Sequence, residues 1–125
     1  KNVILSPHIG GSTKEAQKNI GSYVPDKIID FINTGNTSSC VNFPELSLPE
    51  QKDSHRLIHI HLNEPGVLLN INKIISSYNI NIKGQYLKTI ENIGYVITDI
   101  DREYDKSVVK ELKNIKYTIK LRVLY

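Results

Sequence analysis

Two stretches of the 125-residue chain hold side chains whose types and spacing could do chemistry. The first is Val3-Ile4-Leu5-Ser6-Pro7-His8-Ile9-Gly10-Gly11-Ser12-Thr13, an apolar run that ends at a Pro-His pair, then two glycines, then a helix cap. An imidazole fixed at such a point can give or take a proton near neutral pH. It needs a carboxylate to set its tautomer, and Glu15 lies in the following helix, facing away. There is no Gly-x-Gly-x-x-Gly, hence no loop for a dinucleotide. On residue types alone His8 is a lone catalytic-looking group, and a structural role is the plainer reading. The second stretch is His59-Ile60-His61-Leu62-Asn63-Glu64-Pro65-Gly66. A strand ends here and a helix begins, so free N–H groups and a positive dipole end are offered to an anion such as a carboxylate. Gly66 allows close approach to the backbone. Asn63 could accept from an ammonium or hydroxyl, and His61 could donate or accept. The plainer alternative is an ordinary strand-to-helix connection with His61 at the surface. His59 and His61 share a strand face, but two imidazoles without a further ligand make a poor zinc site. An RNA-binding surface on the same topology would carry aromatics on its central strands, where this chain has His59, His61, isoleucines and a single Tyr95.

The elements that must position these residues fall into two regions. Residues 1–55 read as strand, helix and extended tail. Val3–Leu5 is the strand. Ser12 or Thr13 caps a helix that Glu15 supports from its first turn, with Ala16, Ile20, Val24, Ile28 and Ile32 at near-helical spacing. Pro25 falls inside it and predicts a kink near Tyr23–Pro25. Thr34-Gly35-Asn36 ends the helix, and Pro44, Pro49 and polar residues mark an extended crossing, with a linker from Pro49 to His55. Residues 56–125 are more regular. Arg56–Leu62 alternates, with Ile58, Ile60 and Leu62 on one face and Leu57, His59 and His61 on the other. Val67, Ile71, Ile74, Ile75 and Tyr78 mark a helix, Asn79–Thr89 a strand, Glu91–Gly94 a turn, and Gly94–Ile100 a strand. Asp105–Asn114 is a helix with Val108, Leu112 and Ile115 inward. Tyr117–Tyr125 alternates, with Tyr117, Ile119, Leu121, Val123 and Tyr125 against Thr118, Lys120, Arg122 and Leu124. The β-α-β-β-α-β order predicts an α+β, ferredoxin-like domain: an antiparallel sheet with two helices on one face.

Composition narrows the class. Hydrophobic residues make up 39% of the chain, enough for a small core. The formal charge is +3, too mild to argue for nucleic acid. Residues 1–55 carry five Lys+Arg against six Asp+Glu, and residues 56–125 eleven against seven, spread without a basic run. Cys40 is the single cysteine, so an intramolecular disulfide is impossible and a reducing, cytoplasmic setting is expected. No apolar stretch nears the roughly 20 residues of a membrane helix. No signal peptide is visible, and the abrupt start inside a strand-like run suggests a piece of a longer protein.

The two regions together resemble one family. Ser6-Pro7-His8-Ile9-Gly10-Gly11-Ser12-Thr13, Glu15-Ala16-Gln17, Asn19-Ile20-Gly21, Val41-Asn42-Phe43-Pro44-Glu45 and Ser47-Leu48-Pro49 resemble the end of the catalytic core of D-2-hydroxyacid dehydrogenases. Arg56 to His61, Asn63, Pro65 to Leu68, Asn72-Lys73-Ile74, Asn79 to Ile82, Gln85-Tyr86-Leu87, Gly94-Tyr95-Val96 and Leu124-Tyr125 resemble the regulatory ACT domain of the short bacterial D-3-phosphoglycerate dehydrogenases. The resemblance implies a Rossmann-type core ending in residues 1–55 and an ACT domain over residues 56–125. It implies NAD-dependent oxidation of 3-phosphoglycerate, the first step of L-serine synthesis, by a full-length enzyme of which this piece alone would be inactive. His8 matches the catalytic acid/base, and Gly10 and Gly11 the loop beside the nicotinamide. His61 and Asn63 of one chain and Asn81 of its neighbour match contacts to L-serine, the feedback effector, in a homo-oligomer (a tetramer in the family) joined through ACT sheet edges. Serine has about seven heavy atoms, so even at about −1.5 kcal/mol per atom it reaches roughly −10 kcal/mol. Micromolar binding needs about −8 kcal/mol, so nearly every atom must be gripped, which an enclosing interface can do. The family's glycine-pair hinge is missing from Glu50-Gln51-Lys52-Asp53-Ser54-His55. Two rival readings are an amino-acid-binding ACT module without enzymatic role, and a relative acting on another 2-hydroxy acid.

Overall fold

The computed structural model describes residues 2–49, 52–101 and 103–124. Helix α1 (Lys14–Thr34) starts at Thr13, whose Oγ1 accepts from the Ala16 N–H at 3.1 Å. It stops at Gly35, where φ of +78° closes the last turn by a bond from the Gly35 N–H to Phe31 O at 3.0 Å. The expected kink does not break it: the helix runs through Pro25 as one element. Because α1 is exposed there, water is available to the carbonyl that proline leaves without its helical donor. The expected strand at Val3–Leu5 is not formed; these residues are irregular and 80–94% exposed. A strand is stable only with a partner to share its N–H and C=O groups, and no described strand pairs there.

The second region folds as its periodicity predicts. β1 (Ser54–Leu62), α2 (Val67–Ser77), β2 (Ile82–Ile90), β3 (Ile93–Asp101), α3 (Ser107–Lys113) and β4 (Thr118–Leu124) form a four-stranded antiparallel sheet in the order β2-β3-β1-β4. One face holds the main core: Leu57, Val96, Ile100 and Leu121 from the sheet meet Val67, Ile71 and Ile75 of α2 and Val108 and Leu112 of α3. Each such side chain contributes roughly 2 kcal/mol by leaving water.

The other face is covered too. Residues 36–48, expected as a crossing segment, lie along it with Pro44, Leu46 and Leu48 buried at alternate positions, the two leucines against Ile58, Tyr95 and Ile97. Thr37 closes this segment on itself. Its N–H donates to Leu46 O at 2.8 Å, its hydroxyl donates to Pro44 O at 2.7 Å, and that same oxygen accepts from the Leu46 N–H at 2.8 Å. With both faces covered, β3 is buried from Gly94 to Ile100. In β4 the expected alternation fails at Ile119. The register with β1 shifts between Ile60 and His61, so that Thr118 pairs with His61 and Lys120 with Ile60. Ile119 is the extra residue of this bulge and is 52% exposed. None of the described helices is long and apolar enough to cross a membrane.

Candidate effector site at the start of α2

β1 delivers His59 and His61 to the helix-covered face at its C-terminal end, the side that Leu57 also faces. Both imidazoles are buried, not at the surface, and their ring centroids are 5.7 Å apart. His61 lies over Gly94, its partner on β3; a Cβ at that glycine would overlap the imidazole. This accounts for a glycine in a strand that is otherwise apolar and buried. His61 Nδ1 is 2.6 Å from Leu62 O. A carbonyl only accepts, so Nδ1 carries a proton and donates it. The Nε2 of the same ring is buried and has no partner among the described residues.

His59 Nε2 is 2.7 Å from Thr118 Oγ1, which in turn lies 3.5 Å from Leu112 O. With the hydroxyl donating to that carbonyl, His59 donates from Nε2 and its buried Nδ1 is also left as an acceptor without a partner. Burial, and then the neighbouring His61, push the His59 pKa down to about 4. The neutral His59, with a bare Nδ1, and the His61 Nε2, which no described group meets, leave two buried ring nitrogens open to a ligand. Among the described residues no group of three or more His, Cys, Asp or Glu could hold a metal ion.

The loop after β1 completes this half. Asn63 is exposed; its Nδ2 donates to Glu91 O at 3.2 Å and its N–H to Asn92 O at 2.8 Å, so the β2–β3 turn holds it in place. Gly66 caps α2 at φ of +88°, a conformation that a side chain would strain, and the space where its Cβ would stand is open for 4 Å. The first N–H groups of α2 point out of the helix at this spot.

The remaining expected site residues lie elsewhere. Asn81 is exposed just before β2 and lines a cleft of about 360 Å³ with Asn72, Ser76 and Asn79. Its neighbour Ile82 pairs with Ile100 of β3, whereas His61 pairs with Gly94. Six residues of strand separate the two positions, about 20 Å. One chain therefore brings His61 and Asn63 together and keeps Asn81 away from them. His8 sits on an exposed bend and Gly10 and Gly11 in a single 3-10 turn (Gly10–Ser12), with nothing within 4 Å of a Cβ at either glycine. The described residues make no cradle for a dinucleotide there. Sequence reasoning passed over Thr118 and Gly94 as supports of the histidine pair; the lone glycine in an apolar strand was the available sign.

Over residues 57–120 the chain matches the AHAS small subunit-like ACT domain. It is 51% identical over 124 residues to D-3-phosphoglycerate dehydrogenase of Haemophilus influenzae, covering 99% of this chain and 30% of that protein. It is 49% identical over 126 residues to the protein of the same name in Escherichia coli K12, with the same shares. The chain thus spans about 30% of the length of these relatives. Among solved structures, the ACT domain from GTP pyrophosphokinase of Chlorobium tepidum aligns at a TM-score of 0.49 with 16% identity, over 57% of this chain and 96% of that one. By its sheet order, its two helices on one face and its match over residues 57–120, the chain belongs to the ACT-domain family.

Proposed function

We propose that this chain is the C-terminal part of an NAD-dependent D-3-phosphoglycerate dehydrogenase, with residues 56–125 as the ACT domain through which L-serine inhibits the enzyme. One observation carries the reading: identity near 50% runs through 99% of the chain, from the His8 stretch to β4, not through the ACT sheet alone. In this reading His8 takes the proton from the substrate hydroxyl, and Gly10 and Gly11 border the nicotinamide. NAD supplies the hydride acceptor, and residues other than those described here hold it, since Gly10 and Gly11 stand open. L-serine binds between two copies. His61 and Asn63 come from one and Asn81 from the other, which agrees with their separation within a single chain. The His61 Nε2, which no described group meets, accepts from the effector's ammonium or hydroxyl, and the open N-terminus of α2 receives its carboxylate.

The test is calorimetric titration of L-serine into the whole protein, paired with the rate of NAD-dependent 3-phosphoglycerate oxidation. The expected result is saturable heat and inhibition over one concentration range, with Asn63→Ala shifting both at least tenfold and glycine and D-serine giving neither. Oxidation without response to L-serine would leave the dehydrogenase and remove the effector. Heat without oxidation would favour an amino-acid-binding module.

A further inference from the structure

The connection between the two regions carries no glycine, and its flanks are tied to each other. Arg56, near the start of β1, is 7% exposed on the face opposite α2 and α3. Its Nε and Nη2 meet the two oxygens of Asp99 on β3 at 2.8 and 2.9 Å. Its other N–H groups reach three carbonyls outside the sheet: Thr34 O at 2.9 Å and Leu48 O at 3.2 Å from Nη1, and Pro49 O at 2.9 Å from Nη2. Thr34 is the last residue of α1; Leu48 and Pro49 end the segment that covers the sheet. A guanidinium suits this task because its planar fork directs several donors at once.

Three more residues, Tyr95, Arg122 and Ile58, hold the same helix end. The Tyr95 hydroxyl donates to Gly35 O at 2.6 Å. Arg122 on β4 donates from Nη2 to Ile32 O at 2.9 Å and lies 5.1 Å over the Phe31 ring. Gly35 is packed so closely on Ile58 that a Cβ would overlap that side chain. The anchors lie on β1, β3 and β4. A bend between Pro49 and Ser54 would first have to break the bonds that Arg56 makes across it. From the anchored end, α1 runs 21 residues, about 30 Å, back to Thr13 and the His8 stretch.

We propose that Arg56 is a latch that joins β1 and α1 into one lever, so that the state of the effector site at the His61 end of β1 is passed to the His8 end of α1 through this side chain and not by bending of the connection after Pro49. The proposal rests on the effector reading above, and its test separates the two. In the whole protein, Arg56→Met is combined with Asp99→Asn so that no buried charge is stranded. Arg56→Lys, which keeps the ion pair and loses the fork, stands beside it in case the double variant does not fold. The expected result is L-serine affinity within threefold of wild type, while the concentration for half-inhibition rises at least tenfold. Hydrogen exchange at residues 31–37 should accelerate at least tenfold, with 57–60 and 94–98 unchanged. Inhibition that continues to follow binding in the variants overturns the latch. If the wild type binds no L-serine, the effector reading fails and exchange alone decides: residues 31–37 exchanging as fast in wild type as in the variants would overturn the latch too.

Discussion

At the residue scale, the buried histidines make the sharpest predictions. His59 is held near pKa 4 in the fold, against about 6.5 when unfolded. The folded value is the lower one, so the unfolded chain binds the extra proton between the two. Stability is therefore full above about pH 6.5 and is lost as pH falls toward 4, by roughly 3 kcal/mol in all. Urea denaturation of wild type and His59→Gln at pH 7.5, 5.5 and 4.5 reads this term as the difference between the two slopes. Equal slopes would mean that His59 is hydrated in solution. Gly94→Ala tests the neighbouring contact. Its methyl must displace the His61 ring from a packed face, at a cost of about 1–3 kcal/mol. A melting temperature and L-serine response like the wild type's would sink the placement of that ring.

At the scale of elements, β4 departs from simple alternation, and the departure can be measured. Leu121 is 8% exposed in the main core, whereas Ile119 is pushed out by the bulge opposite His61. Leu121→Ala should cost about 2–4 kcal/mol. Ile119→Thr should change stability by less than about 0.5 kcal/mol, as surface changes usually do. Equal losses at the two sites would restore the unbroken alternation that the sequence alone suggests. α1 shows the limit of periodicity in another way. Its Ile20, Val24, Ile28 and Ile32 recur at helical spacing and the helix forms, yet none of its residues is buried. Spacing reports which side of a helix is apolar, not what covers it.

For the whole molecule, order is graded along the chain. The sheet is packed on both faces, and α1 touches it mainly through the Phe31–Gly35 end. Most helical stability in proteins comes from packing of an apolar face, and α1 buries none of its residues. Amide exchange in this chain should thus be slowest at 57–60 and 94–98, faster by orders of magnitude at 14–28, and unprotected at 3–5. Exchange as slow at 14–28 as in β3 would show that α1 packs on something beyond its C-terminal end. The gradient bears on function as well. If effector binding moves α1, the force must enter at the anchored end, where Arg56, Tyr95 and Arg122 meet it.

The β-α-β-β-α-β order, the helices α2 and α3, and the inward set of Val108, Leu112 and Ile115 were legible in the sequence, because burying one face of a strand or helix imposes a period of two or 3.6 on the chain. The loop at Asn63 and Gly66 was legible for a related reason: a strand-to-helix junction exposes the same backbone groups wherever it occurs. What only the tertiary structure decided are the pairings between distant residues. Nothing local says that Arg56 meets Asp99 and the carbonyls of Thr34, Leu48 and Pro49, that Gly94 makes room for His61, or that Thr118 serves His59. Nor does a period of two show that residues 36–48 close the second face of the sheet, or that Val3–Leu5 have no partner strand among the described residues. Periodicity records that a side chain is buried; its partner is set by strand order and register, which are properties of the assembled sheet.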